Sequence, residues 1–190
     1  MPTELETFPF TAATVGWAYR RGIFPMGFDD GSVGWFQPSS RALLLPQNFR
    51  TTRSLLRSSK RFEVRHDQEF AEIMKQCADR AGGSWISQEF IRVYTELFDA
   101  GNGGCCGTYL DGELVGGVYG ARFGNAFMAE SMFHRVSDAG KVALWELLKR
   151  LESEGVTLVD VQYMTPHLRS LGATEVSHAE YLRRLKVALS

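Results

Sequence analysis

The feature that most constrains this chain is a run of three extended segments joined by two tight turns. Residues 106–110, 114–121 and 126–133 are rich in Val, Tyr, Phe and Met, and the breaks between them carry Asp111-Gly112 and Gly124-Asn125. Both dipeptides suit the positive backbone angles of a short hairpin connection, whose twist matches the strands it joins. The segments therefore predict an antiparallel meander, which no all-helical bundle can accommodate. Downstream, residues 142–151 repeat apolar positions at helical spacing, with Asp138 as the expected cap. Residues 157–162 read as a strand, and 178–189 as a helix capped by Ser177. A meander followed by helix, strand and helix gives an α+β fold, a mixed sheet flanked by helices.

The first half is made of shorter pieces. Residues 11–21 predict a helix that Thr11 can cap and Gly22 can stop, with Val15 and Ala18 inward. A loop through Asp29-Asp30-Gly31-Ser32 follows, and Leu43-Leu44-Leu45 reads as a short buried strand ending at Pro46. A boundary near there divides the chain into a small N-terminal domain, 1–47, and a larger domain, 48–190. Beyond it come a helix over 52–59, a strand over 62–64 and a helix capped by Asp67 and running to 79. A further helix, capped by Ser87 and closed by Gly101, carries Phe90, Ile91, Tyr94, Leu97 and Phe98 as its apolar stripe.

Composition narrows the function classes. A chain of 190 residues can bury a core without disulfides. Its three cysteines form no Cys-x-x-Cys pair and its four histidines no metal-like spacing, so reduced thiols and no metal site are expected. The acidic start, Met-Pro-Thr-Glu-Leu-Glu, lacks the basic and apolar regions of a signal peptide, and no apolar run approaches the ~18 residues of a membrane span. A cytoplasmic protein without a membrane partner is the reading. The net charge of −1 gives no hint of nucleic acid. Between 50 and 65, however, six basic residues face one acid, and Arg53, Arg57 and Lys60 share one helix face. Such a run is most often simply solvated.

Two sets of polar residues stand out in the second half. Asp160 and Gln162 lie two apart on an expected strand and so share a face. Taken alone, such an Asp is often an edge residue or a structural acceptor. Glu130 is a lone acid in the apolar run Phe127-Met128-Ala129-Glu130-Ser131-Met132, expensive to bury unless paired. It either serves a pocket or faces water on an alternating strand. Ser131 sits in no Gly-x-Ser-x-Gly elbow, which argues against a hydrolase.

Several stretches, in order, resemble one family. Tyr19-Arg20-Arg21-Gly22-Ile23-Phe24-Pro25 is similar to its Tyr-Arg-x-Gly-Ile-Phe-Pro signature, and Trp35-Phe36-Gln37-Pro38 with Arg41 to its Trp-Trp-Ser-Pro-x-x-Arg segment. Ser84-Trp85-Ile86, Glu113-Leu114-Val115-Gly116-Gly117 with Tyr119-Gly120, and Glu130-Ser131-Met132-Phe133 follow. So do Ser137-Asp138-Ala139-Gly140-Lys141-Val142-Ala143-Leu144, Asp160-Val161-Gln162, and His167 with Ser170-Leu171-Gly172-Ala173. The family is that of the leucyl/phenylalanyl-tRNA–protein transferases.

The resemblance implies an N-acyltransferase-like core with a small N-terminal domain. It implies transfer of Leu, less readily Phe or Met, from aminoacyl-tRNA to proteins or peptides with N-terminal Arg or Lys, an addition that marks them for degradation in bacteria. The aminoacyl ester is already activated, so the chemistry asks for a proton acceptor, positioning and oxyanion donors, and for no metal or cofactor. Asp160 would accept the amine proton or hold the ammonium, Gln162 would position the amine, and Glu130 would receive the basic N-terminal side chain. Val118, Phe127, Leu144, Leu147 and Val159 match positions that the family uses around its aminoacyl side-chain pocket. Tyr19 and Trp85 would stack on the terminal adenosine. Arg53, Arg57 and Lys60 would track acceptor-stem phosphates. His167 reads as a turn-stabilising residue.

The chain departs from the family pattern at Met26 (usually Trp), at Cys105-Cys106-Gly107 (usually ending in Glu), at Ala129 (usually Gly) and at His134 (usually Ser). These changes leave open which amino acid is transferred and which acceptor is used. Two alternatives stand beside this reading. An acyl-CoA-dependent N-acetyltransferase would share the fold, but Asp138 occupies the first glycine position of its phosphate loop in Arg135-Val136-Ser137-Asp138-Ala139-Gly140 and would repel phosphate. A non-catalytic RNA- or peptide-binding module is the other.

Overall fold

The computed structural model describes residues 8–79 and 83–190. The chain opens with α1 (Ala12–Tyr19), whose Thr11 cap accepts a hydrogen bond from the Thr14 amide. β1 (Phe24–Gly27) and β2 (Val33–Phe36) pair antiparallel as a separate two-stranded ribbon. Its loop is closed by Asp30, which accepts from the amide and hydroxyl of Ser32. β3 (Ser40–Leu43) then enters the main sheet. α2 (Arg53–Ser59), β4 (Glu63–His66), α3 (Phe70–Ala78) and α4 (Gln88–Asp99) follow. The meander is β5 (Gly103–Leu110), β6 (Glu113–Phe123) and β7 (Ala126–His134). α5 (Ala139–Ser153), β8 (Leu158–Asp160), α6 (Pro166–Leu171), β9 (Thr174–Ser177) and α7 (His178–Leu189) complete the chain.

The main sheet runs β4-β5-β6-β7-β8-β3-β9, antiparallel throughout except for the β7–β8 pair. The α+β class, a mixed sheet flanked by helices, is the one expected. Strand alternation sends successive residues to opposite faces. Cys105 thus joins the core under α1, α3, α4 and α7, while its neighbour Cys106 joins the core under α5. Both are buried free thiols. No helix among the described residues is long and apolar enough to cross a membrane.

Several expected boundaries move for physical reasons. β3 begins at Ser40 rather than 43 and lies between β8 and β9, so a strand from before residue 47 is hydrogen-bonded into the large sheet. Asp67 does not cap α3, which starts after Glu69. Asp67 sits in the left-handed region (φ 51), with one carboxylate oxygen accepting the Cys105 amide and the other paired with Arg150. Asp138 also adopts a left-handed conformation at the start of α5 and makes no side-chain cap. Instead it accepts from Ser58 (2.9 Å) and Lys141 (3.2 Å), tying α2 to α5. The strand expected over 157–162 stops at Asp160. Beyond it Gln162 takes a positive φ of 57, which turns the chain out of the sheet.

Candidate functional site

The site arises where the sheet fails to stay paired. β7 and β8 run parallel only over Ala126↔Leu158, Phe127↔Val159 and Met128↔Asp160; β8 then ends and β7 continues alone on that side to His134. At the same level β7 carries a bulge. Its register with β6 steps from Gly120↔Ala129 to Tyr119↔Ser131, leaving Glu130 with no opposite residue. A bulge re-aims the side chain it carries. Gly120 permits the close pairing beside it, because a β-carbon there would run into the Met128 carbonyl oxygen and the Phe127 ring.

The resulting cleft encloses about 630 Å³. Val118, Glu130, Met132, Phe133 and Leu144 form one wall, Val161, Gln162, Thr165, His167 and Leu168 the other, and Trp85, Gln76, Asp79 and Arg135 lie at one end. Glu130 is the acid at its heart. Its Oε1 accepts from the Tyr19 hydroxyl (2.5 Å) and from the Gln162 side-chain amide (3.2 Å); the Tyr94 hydroxyl lies 3.5 Å from its Oε2. Burial pushes the Glu130 carboxyl up to about 8, and the nearby Asp160 charge adds to this, while the hydrogen bonds from Tyr19 and Tyr94 oppose it. Burial and the same carboxylate hold both tyrosine hydroxyls far above their usual range, so they act as donors.

Asp160 does not face the cleft. It is fully buried in a two-pronged ion pair with Arg41, Nη2–Oδ2 at 2.6 Å and Nε–Oδ1 at 3.1 Å. It also accepts from the Tyr181 hydroxyl and the Gln162 amide, both at 2.8 Å. Arg41 lies between the rings of Phe24 and Tyr181 and donates to the Gly22 carbonyl. Burial alone would lower the Arg41 pKa, but the Asp160 charge outweighs it and raises it. The expectation that Asp160 meets the substrate amine is thus corrected: its oxygens are filled by protein donors. Nor do Asp160 and Gln162 share a strand face. Gln162 reaches Glu130 from a left-handed turn that Asp160 holds by accepting its backbone N–H.

Other expected residues separate in the same way. Trp85, Val118 and Leu144 line the cleft. Phe127, Leu147 and Val159 do not; each is 1% exposed in the core around α5, behind the wall. Tyr19 offers no ring face to a nucleobase, being wholly buried with its ring against Phe123 and its hydroxyl on Glu130. Arg53 and Arg57 of α2, and Lys60 at its end, are exposed and lie outside the cleft. His167 is on the cleft wall, and its pKa is lowered by burial and by the nearby Lys141 charge. At Gly107, the Tyr109 ring and Leu114 fill the space that a side chain would need.

Sequence reasoning gave no role to three site residues. Tyr94 reads as an ordinary member of an apolar helix stripe, and Tyr181 is one residue of the last helix with no local signal. Arg41 carried a usable signal, a lone cation immediately before Ala42-Leu43-Leu44-Leu45, since a charge in such a run needs a buried partner.

Two family models match the chain. That described as leucyl/phenylalanyl-tRNA protein transferase covers residues 43–186, and that of the N-terminal domain of the same transferase covers 9–39. A curated leucyl/phenylalanyl-tRNA–protein transferase from Gloeobacter violaceus is 43% identical over 176 residues, 91% of each chain. Another from Azoarcus sp. is 44% identical over 174 residues, 89% of this chain and 74% of the relative. Among solved structures, a conserved protein of unknown function from Bacteroides thetaiotaomicron aligns with a TM-score of 0.50 at 12% identity, covering 70% of this chain and 53% of that one. That likeness concerns the fold alone.

Proposed function

This chain belongs to the leucyl/phenylalanyl-tRNA–protein transferase family and is an aminoacyltransferase, and from that premise we propose that Glu130 is its proton acceptor and the cleft its reaction chamber. The substrates are Leu-tRNA, or Phe- or Met-tRNA, and proteins or peptides that begin with Arg or Lys, which the addition marks for degradation in the cytoplasm.

The observation that carries this reading is the Glu130 carboxyl, set on the cleft wall by a bulge and pushed up to about 8. A free α-amine has a pKa of about 7.7–8.0, so the two groups are closely matched and a proton passes between them with little penalty. The neutral amine attacks the ester carbonyl carbon. A C–N bond forms, the ester C–O bond breaks, and the ribose oxygen leaves. Glu130 takes the proton from the nitrogen and returns it to the leaving oxygen, ending as it began.

The other residues position this step. Gln162 donates to Glu130 and borders the space for the amine. Asp160, with Arg41, fixes the turn that carries Gln162, so it is a positioning residue. Val118, Leu144, Met132 and Phe133 give the aminoacyl side chain an apolar wall, backed by Phe127, Leu147 and Val159. Such a pocket separates Leu from Phe or Met only modestly, since one methylene is worth about 1–3 kcal/mol. Trp85 provides the stacking face for the terminal adenine, and α2 the cations for acceptor-stem phosphates. The acetyl-CoA reading is disfavoured by Asp138, whose carboxylate sits where a pyrophosphate would need the start of α5.

The test mixes the protein with radiolabelled Leu-, Phe- or Met-tRNA and peptides beginning with Arg, Lys, Asp or Ala. Label moving onto the Arg and Lys peptides alone, and lost in Glu130→Gln, is the expected result. No transfer from any aminoacyl-tRNA, with acetyl transfer from acetyl-CoA instead, overturns the reading.

A further inference from the structure

Most of the arginines among the described residues are occupied. Arg41, Arg65, Arg92, Arg122, Arg135, Arg150, Arg183 and Arg184 pair with acids. Arg20, Arg21 and Arg61 lie over the rings of Phe123, Trp17 and Phe62. Among the described residues this leaves Arg50, Arg53, Arg57 and Arg169 with neither an acid nor a ring, and all four gather in one region. Arg53 and Arg57 are on α2. Arg50, three residues before α2, and Arg169 of α6 line a second depression of about 500 Å³, with Met164, Thr165, Pro166 and Ser170. No carboxylate among the described residues lines it.

The depression adjoins the reaction cleft. Thr165 lines both, so α6 forms the ridge between them. Backbone contacts hold the segment that carries Arg50 against the end of α6. The Arg50 amide donates to the Leu171 carbonyl at 2.9 Å. Gly172, at φ 106, lets the segment before α2 approach so closely that a β-carbon there would collide with the Asn48 carbonyl. Two unpaired guanidinium forks and a hydroxyl lining one depression suit a phosphodiester, which Arg grips in bidentate fashion. The Thr165 oxygen accepts the Leu168 amide, leaving its own O–H to donate.

We propose that this groove holds a backbone phosphate of the single-stranded 3′ end of the RNA substrate, between the terminal nucleotide in the cleft and the stem on α2. The assignment rests on the aminoacyl-tRNA reading above. It gives the strand a continuous cationic path: over α6, between Arg169 and Arg50, then onto Arg53 and Arg57.

The experiment compares wild type with an Arg50→Ala/Arg169→Ala double variant, and with an Arg92→Ala/Arg183→Ala variant that removes the same charge elsewhere. Each is assayed on intact aminoacyl-tRNA over a range of salt, and on 3′-aminoacyl-adenosine, which lacks the preceding phosphate. The groove variant is expected to raise KM for aminoacyl-tRNA about tenfold and to reduce the log–log salt slope by about 1. Its kcat, and its activity on aminoacyl-adenosine, stay at the wild-type level. An unchanged KM and slope, or equal changes in the charge-matched variant, overturns the groove while leaving the transferase reading intact. Wild type that transfers from no aminoacyl-tRNA overturns both.

Discussion

Removing Arg41 tests whether the buried ion pair organises the site. Arg41 supplies two of the four donors that satisfy Asp160, the others being Tyr181 and the Gln162 amide. Both partners are 0% exposed. At a charge separation of ~4 Å and an effective dielectric near 20, the attraction is about 4 kcal/mol. Arg41→Met strands a buried carboxylate with half of its donors, which costs about 3–5 kcal/mol. For a chain of this size that lowers Tm by roughly 6–20 °C, at about 2–4 °C per kcal/mol. Asp160→Asn strands the guanidinium instead and is expected to lose a similar amount. The double variant Arg41→Met/Asp160→Asn removes both charges, so it should lose less than the sum of the singles, with a coupling of about 2 kcal/mol or more. Urea unfolding followed by tryptophan fluorescence gives all three values. A loss below about 1 kcal/mol in Arg41→Met, or strict additivity in the double variant, would refute the argument that this pair is held by mutual neutralisation in a dry site.

Four further outcomes follow. With Glu130 ionising at about 8, transfer at saturating substrate rises with pH towards a plateau above that value; Glu130→Gln should flatten this limb and lower kcat by about 10²–10⁴. The stability consequence has a definite sign. The folded carboxyl ionises at about 8, above an unfolded value of about 4.3, so stability is fully present below pH 4.3 and declines as pH rises to about 8. Urea midpoints across that window should show the decline in wild type and its absence in Glu130→Gln. Gly120→Ala pushes a β-carbon onto the Met128 carbonyl beside the bulge, so a stability loss of about 2–3 kcal/mol is expected, with a fall in kcat measurable under folded conditions. Trp85→Ala should raise KM for aminoacyl-tRNA by about 1–3 kcal/mol, roughly 5- to 150-fold, with kcat little changed; an unmoved KM excludes stacking at that residue.

Much of the architecture was readable residue by residue because it is specified over a few neighbours. The Asp111-Gly112 turn stands in the meander where expected, with both residues at positive φ. Thr11, Ser87 and Ser177 cap the helices they precede. Alternation along β5 sends Cys105 and Cys106 to opposite cores. The motifs around Tyr19, Glu130 and Asp160 also marked the stretches that the fold brings to the site.

The roles inside the site depended on contacts that no local pattern encodes. Asp160 reads as a substrate-facing acid until Arg41, 119 residues away in the chain, fills its oxygens. Tyr19 reads as a stacking ring until its hydroxyl reaches Glu130 across 111 residues. Glu130 stands out in its apolar run, but whether it faces water or a pocket is decided only by a slip in register against β6. Composition, spacing and propensity determined which elements form and which family the chain resembles, since those follow from short-range sterics and periodicity. Tertiary structure alone decided which charges are neutralised and which carboxyl is left to titrate, because desolvation and pairing depend on what distant segments bring to the same few ångströms.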